Sequence, residues 1–243
     1  MTVPPLHNPL LDIVLAATPR AAGAGTRMDT VRRYAFAVPT LEALDAIRRA
    51  APAGVLEIGA GAGYWAYVAD QEGIDVAAFD IEPAPSPSSK WFAAVRPWFP
   101  VDRRDHTVVE AHGGRTLLIV WPPIDETWPL DALDLYLAAG GRCVVYVGEP
   151  PGGGTGDDAF HARLGLLAVC NHCAYGIETS PCVCAIEPRW RRIETVGLPH
   201  WPGFVDDLHV FVPRTLSVTP ERGRRGARWR RARGSATPAP PRR

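Results

Sequence analysis

Residues 55–83 read VLEIGAGAGYWAYVADQEGIDVAAFDIEP, and the fold turns on them. An aliphatic run at 55–58 meets three alternate glycines, Gly59, Gly61 and Gly63, and an apolar helical pattern starts at Tyr64. A second aliphatic run at 74–79 then ends in Asp80. Strand, turn, helix and strand in that order form a βαβ unit, whose parallel strands bring their carboxyl ends to one edge of a sheet. Missing β-carbons let the turn pass close beside a ligand. Asp80 stands 21 residues after Gly59, where it shares the crevice with the turn and can take both hydroxyls of a ribose. An adenosine compound is the ligand this implies.

Spacing narrows the choice. A dinucleotide fingerprint requires a small residue three positions after Gly61, and Tyr64 is too large for the close helix–strand contact made there. The third glycine comes one residue early. Glu57, two residues before the first glycine, suits a ligand with an ammonium group better than one with a pyrophosphate.

Outward from this unit the alternation continues. Strands are expected at 116–120 (TLLIV) and 142–147 (RCVVYV), with helices near 131–139 and 157–169. Nearly continuous aliphatic strands between helices imply a parallel sheet covered on both faces. WRRIETVGL and LHVFVP, joined by a short connection, suggest an antiparallel pair at one edge. Upstream, Pro39 breaks two helices and Thr40 caps the second. The division expected is a loosely packed lead-in at 1–30, one α/β domain at 31–213 with a Cys-rich insertion at 170–185, and a disordered Arg/Pro-rich tail at 214–243.

The pattern ExGxGxG followed by an acid at the end of the next strand resembles the first motif of class I S-adenosylmethionine (SAM)-dependent methyltransferases. YAFAVP, EIGAGAGYWA, TLLIVWPP, VVYVGE, DDAFH and LPHWPGFVDDLHVF look like uncharacterised bacterial methyltransferase-like proteins, over about residues 30–213. The resemblance implies a Rossmann-like sheet of seven strands, six parallel and the last antiparallel. It also implies that Gly59, Gly61 and Gly63 line SAM, that Glu57 supports its ammonium end and that Asp80 binds its ribose. Tyr64 or Trp65 is expected to cover the cofactor, and Asp105, after a poorly marked third strand, stands where an adenine contact is expected.

TLLIVWPP places Trp121, Pro122 and Pro123 at the carboxyl end of the fourth expected strand, at the mouth where a methyl group would face its acceptor. Two prolines fix φ and remove two amide donors, making the segment rigid. It resembles the [DN]PP[YFW] element of amino-group methyltransferases, with two departures. Trp121 replaces the hydrogen-bonding Asp or Asn, and Ile124 replaces the aromatic residue. That undermines an adenine or glutamine amide nitrogen as acceptor, while Trp121 suits an apolar or cationic pocket. Asp125, Glu126 and Glu149 lie near this mouth, and His161 is a candidate general base or a hydrogen-bonded structural histidine. His200, Trp201, Asp206 and Asp207 stand in the final hairpin, where they would roof the acceptor pocket.

Composition sets the remaining bounds. The 243 residues, 47% hydrophobic, suffice for one large core. No run of ~18 apolar residues marks a membrane span, and the N-terminus has no signal-peptide pattern, so the expected location is cytoplasmic. The net charge of zero hides an asymmetry: residues 214–243 hold 10 Arg and one acid, which leaves 16 basic against 25 acidic residues before them. Such a tail is a solvated appendage or a contact for nucleic acid or an acidic partner. CNHCAYGIETSPCVC spaces Cys170, Cys173, Cys182 and Cys184 so that four thiolates, with His172 as a substitute, are expected to hold structural zinc, buried or redox thiols being the other reading. The function expected is SAM-dependent methyl transfer to an unidentified acceptor. The alternative is a catalytically silent SAM- or nucleoside-binding module whose zinc knuckle and basic tail recruit protein or nucleic acid. A dehydrogenase stands third, weakened by Tyr64.

Overall fold

The computed structural model describes residues 6–17, 24–167, 173 and 182–214. Cys170, His172 and the tail from 215 onward, about which the sequence raises expectations, lie outside them.

Three helices open the chain, α1 (Pro9–Ala16), α2 (Ala24–Arg33) and α3 (Leu41–Ala50). The Thr40 side chain accepts the Ala43 N–H at 3.1 Å, the capping expected there. Then come β1 (Val55–Ile58), α4 (Tyr64–Gln71), β2 (Val76–Asp80), the two-residue β3 (Asp102–Arg103) and β4 (Thr116–Val120). The chain continues through α5 (Trp128–Ala138), β5 (Val144–Gly148), α6 (Asp158–Leu164), β6 (Trp190–Gly197) and β7 (Asp207–Pro213). Two boundaries differ from expectation for local reasons. Pro129, in the first turn, starts α5 earlier, because its missing N–H costs nothing there. Gly165, at φ +76°, ends α6 early by capping it in the left-handed conformation.

The strands form one sheet in the order β3-β2-β1-β4-β5-β7-β6. β7 runs antiparallel to both its neighbours, β5 and β6, and the other pairings are parallel. Every residue of β1 and of β5 is buried, as strands covered on both faces require. On one face Leu44, Ile47, Trp65 and Val68, from α3 and α4, pack with Val55, Leu118 and Val145. On the other, Leu133, Tyr136 and Phe160, from α5 and α6, pack with Leu56, Leu117 and Val144. The order places the glycine turn after β1 and Trp121 after β4 side by side at the carboxyl edge.

Residues 6–17 depart from the loose lead-in expected of them. Leu10 is fully buried and Val14 nearly so, and the buried Asn8 donates to the Pro39 carbonyl at 2.7 Å. The short apolar patch is thus an amphipathic helix docked against α3 and α4, and α2 runs across the expected boundary at residue 30.

Candidate functional site

Gly59, Gly61 and Gly63 all adopt positive φ, +68°, +56° and +73°, a region that side chains with a β-carbon avoid. The Asp80 carboxylate pins the turn from the neighbouring strand: Gly61 N–H donates to Oδ2 at 2.8 Å and Glu82 N–H donates to Oδ1 at 2.7 Å. Each oxygen keeps a second lone pair for a hydroxyl group. Glu57 lies beside the turn, 2% exposed, and its Oε2 finds no hydrogen-bond partner among the described residues. Burial pushes its carboxyl up to about 8, opposed by the Ala66 N–H and reinforced by the charge of Asp80.

The turn is covered by the chain itself. A β-carbon at Gly61 would lie 2.5 Å from the Phe92 ring, and one at Gly59 would lie 3.0 Å from the Trp128 ring. Phe92 belongs to the segment between β2 and β3, which the Ala84 N–H ties to the Gly61 carbonyl.

The structure corrects one expectation here. Tyr64 and Trp65 do not face the crevice. Tyr64 is 1% exposed and its hydroxyl donates to Asn8 Oδ1 at 2.9 Å while accepting the Leu10 N–H at 3.2 Å. Trp65 donates to the Ala37 carbonyl at 3.1 Å. Docking of α1 gives Tyr64 its partners, and the segment before α3 gives Trp65 its own, which the local pattern at 64–65 could not foretell. Asp105 follows β3 as expected; it is exposed and caps a short 3-10 helix, accepting from Thr107 N–H at 3.0 Å and Oγ1–H at 2.6 Å. Those bonds hold its carboxyl below the usual range.

At the end of β4, Trp121 has φ +52°, the positive value of a non-glycine residue. Such strain costs on the order of 1–3 kcal/mol and persists where surroundings over-determine it. Three contacts do so. The indole N–H donates to Asp206 Oδ1 at 2.7 Å, the ring stacks on Phe36 with centroids 4.5 Å apart, and Phe204 lies at 6.2 Å. Trp121 N–H also continues the ladder to the Val147 carbonyl. Pro122 is buried, and its carbonyl accepts the Gly156 N–H at 2.8 Å, so this acceptor is engaged within the protein. Pro123 is partly buried, and Ile124, Asp125 and Glu126 face solvent.

Two buried acids flank Trp121. Asp206 is 2% exposed, and burial raises its carboxyl to about 6 against the opposing bond from Trp121. Glu149, after β5, clamps two loops, accepting from Gly154 N–H at 2.6 Å and Val205 N–H at 3.2 Å. The Arg27 guanidinium of α2 lies 3.6 Å from the Phe204 ring centroid and 5.5 Å from that of Trp121. Desolvation lowers its pKa, and the charges of Asp206 and Glu149 oppose that shift.

His161 takes no place at the mouth. It is 1% exposed behind β5, where its Nε2 lies 3.2 Å from the Tyr146 hydroxyl. Tyr146 in turn donates to the Glu149 carbonyl and meets Thr155 Oγ1, each at 2.7 Å. Burial lowers the imidazole pKa, and Nδ1 is buried with no hydrogen-bond partner among the described residues, so the ring is not open to the crevice. Sequence reading missed Arg27, Phe36 and Phe204 as parts of the mouth. Each belongs to a segment remote from Trp121, and no local spacing links them.

In the insertion, the sulfurs of Cys173, Cys182 and Cys184 lie within 4.8 Å of one another, with 3.1 Å between those of Cys173 and Cys182.

The glycine turn, with acids near the ends of β1 and β2, thus lies in the Rossmann-like sheet expected from the sequence, six strands parallel and β7 antiparallel. Among solved structures, the chain is similar to the magnesium protoporphyrin IX methyltransferase of Synechocystis PCC 6803 with bound SAM. There the identity is 14%, the cover 79% of this chain and 81% of that one, and the TM-score 0.43. It is also similar to the N-methyltransferase NodS of Bradyrhizobium japonicum WM9, at 14% identity over 72% of this chain and 96% of that one, with a TM-score of 0.37. An rRNA methylase from Streptococcus thermophilus aligns at 10% identity over 72% and 95% of the two chains, with a TM-score of 0.37. No family model and no curated protein matches the sequence. Strand order, rather than these likenesses, assigns the fold.

Proposed function

We propose that this chain is a SAM-dependent methyltransferase, with SAM held at the glycine turn and the acceptor entering past Trp121. The observation that carries the reading is Glu57. A carboxyl buried to 2% exposure with an oxygen lacking a partner among the described residues is costly, and it lies beside the turn of Gly59, Gly61 and Gly63, glycines with no β-carbon to bar a ligand once Phe92 moves aside. A ligand with an ammonium group offsets that cost by its charge, directly or through water.

When bound, SAM supplies an electrophilic methyl group on a sulfonium. Everything else falls to the chain. Asp80 holds the turn through Gly61 and keeps lone pairs for a ribose. Phe92 moves off Gly61 to admit the ligand and then shields it from water. Trp121, braced by Phe36 and Asp206, lines the side from which the acceptor approaches, so that the protein contributes mainly proximity and alignment. Asp206, with its carboxyl near 6, is the group at the mouth able to take a proton at neutral pH.

Calorimetric titration of the full-length chain with SAM, S-adenosylhomocysteine and NADH tests the proposal. Both sulfur ligands should bind at micromolar concentration, Asp80→Ala should weaken them at least about tenfold, and NADH should not bind. A folded protein that takes up neither sulfur ligand overturns it.

For the insertion we propose structural zinc on Cys173, Cys182 and Cys184, with Cys170 as the fourth ligand the spacing calls for. Protein purified without chelator should carry close to one zinc per chain, and less than about a tenth of that removes the site.

A further inference from the structure

The mouth holds a cation of its own. The Arg27 guanidinium lies over Phe204 at 3.6 Å, within 5.5 Å of the Trp121 ring and 5.9 Å of the Phe36 ring. Arginines that serve structure commonly make paired hydrogen bonds to a carboxylate. Arg27 does not. Its Nε and Nη2 are buried without a hydrogen-bond partner among the described residues, and Nη1 makes only a 3.8 Å contact with the Met28 sulfur. The cage therefore attracts the guanidinium through ring faces and carboxylate charge but leaves its N–H donors unmet.

The walls, by contrast, are firmly fixed. Trp121 is held at φ +52° by its bond to Asp206 and its stack on Phe36. Glu149 is fixed by Gly154 and Val205, and Gly154 brings that carboxylate next to the Trp121 ring: a β-carbon there would lie 3.1 Å from Glu149 Oε2 and 3.7 Å from the indole. A rigid, half-buried box of three aromatic rings and two acids around a loosely bonded cation has the composition of a receptor for cations. An anion entering it would meet both buried carboxylates.

We propose that this mouth binds an N–H-bearing organic cation, an alkylguanidine or alkylamine, and that Arg27 occupies the site until that ligand displaces it. That the cation is the methyl acceptor rests on the methyltransferase reading; the cage itself does not.

Full-length protein is titrated with propylguanidine, butylamine and butyrate, with SAM titrated in parallel. Arg27→Gln keeps most of the side-chain stem and removes the charge. Because a resident occupant lowers apparent affinity by the fraction of sites it fills, this change should tighten binding of one or both cations about tenfold or more. Butyrate should bind neither protein. Adding Asp206→Asn to Arg27→Gln should weaken the cation again by a similar factor. The two cations distinguish a planar guanidinium site from a point-charge ammonium site. Cation affinity that is absent, or equal in wild type and Arg27→Gln, overturns the proposal, as does butyrate binding that Arg27→Gln abolishes. Cation binding without SAM binding leaves the cage standing and removes the methyltransferase reading; SAM binding without cation binding does the reverse. Should Arg27→Gln not fold, the Arg27 Nε–H resonance of the wild type serves instead. Saturating propylguanidine should shift it, and an unmoved resonance counts against displacement.

Discussion

Two ends of one crevice are built from different materials. After β1 and β2 the site is backbone: three glycines at positive φ, with Asp80 bonded to Gly61 and Glu82 N–H groups and Glu57 beside them. After β4 and β5 it is side chain: Trp121, Phe36, Phe204, Arg27, Asp206 and Glu149 come from five stretches of sequence and meet through rings and charge. A site made of backbone tolerates almost no change at its glycines and fixes one ligand type. One made of side chains can be rebuilt residue by residue while the sheet stands. Under the function proposed above, the first would be the cofactor end and the second the acceptor end.

The largest test of that contrast falls on Glu57. Its carboxyl has an ordinary value of 4.5 and is raised to about 8 in the folded chain. Between those values the folded protein retains a proton that the unfolded chain has released. This contribution to stability is therefore complete below about pH 4.5 and is lost as pH rises through 8. At 1.36 kcal/mol per unit it amounts to roughly 4–5 kcal/mol at most. Denaturant unfolding from pH 5 to 9 should show wild type losing stability relative to Glu57→Gln, which stays neutral throughout. An ammonium ligand favours the ionised form, so SAM binding near pH 7 should expel up to one proton. Binding enthalpies measured in two buffers of different ionisation enthalpy read this directly. Parallel pH curves for the two proteins, with no proton release, would detach Glu57 from the cofactor end.

Next comes Gly61→Ala. Its β-carbon would sit 2.5 Å from Phe92 at a φ of +56°. The expected loss of stability is about 1–3 kcal/mol, with SAM affinity down on the order of 100-fold, or ~2.7 kcal/mol. Adding Phe92→Ala should recover part of the stability and none of the affinity, separating what the glycine does for packing from what it does for the ligand. Full recovery of affinity would mean that Phe92, not the backbone, sets the fit.

These differences also decide how much was legible in the sequence. The βαβ unit, the edge pair and the acids at 57 and 80 could be read, because strand periodicity and turn chemistry act over a few residues. The mouth could be located at Trp121 but not composed. Phe36 and Arg27 precede the sheet, and only tertiary packing carries them over the end of β4. Misplacing Tyr64 and Trp65 has the same origin. A short apolar patch at residues 9–16 gave no sign that it would dock on α4 and claim the Tyr64 hydroxyl. Tyr64→Phe measures that correction. It leaves the Leu10 N–H without its partner and Asn8 Oδ1 with the Leu11 N–H alone, costing about 1–3 kcal/mol of stability, and SAM affinity should not move. Weaker SAM binding at unchanged stability would return Tyr64 to the crevice.

The smallest effect bears on the acceptor end alone. Trp121→Ala and Trp121→Gly both delete the stack on Phe36 and the bond to Asp206, so those losses cancel when the two variants are compared. What differs is the backbone. At an ordinary position alanine is the more stable of the two by about 0.5–1 kcal/mol, because glycine has more freedom to lose on folding. At φ +52° the order should invert, with glycine ahead by about 1 kcal/mol, because alanine keeps the steric cost of the left-handed region. The sign is the useful quantity, and it is read from paired urea midpoints at equal slope. Glycine ahead means that the mouth holds strain which a smaller residue would relieve, strain retained to aim an indole at the acceptor. Alanine ahead means that residue 121 relaxes once the ring is gone, and that Phe36 and Asp206, rather than the proline segment, create the unusual backbone.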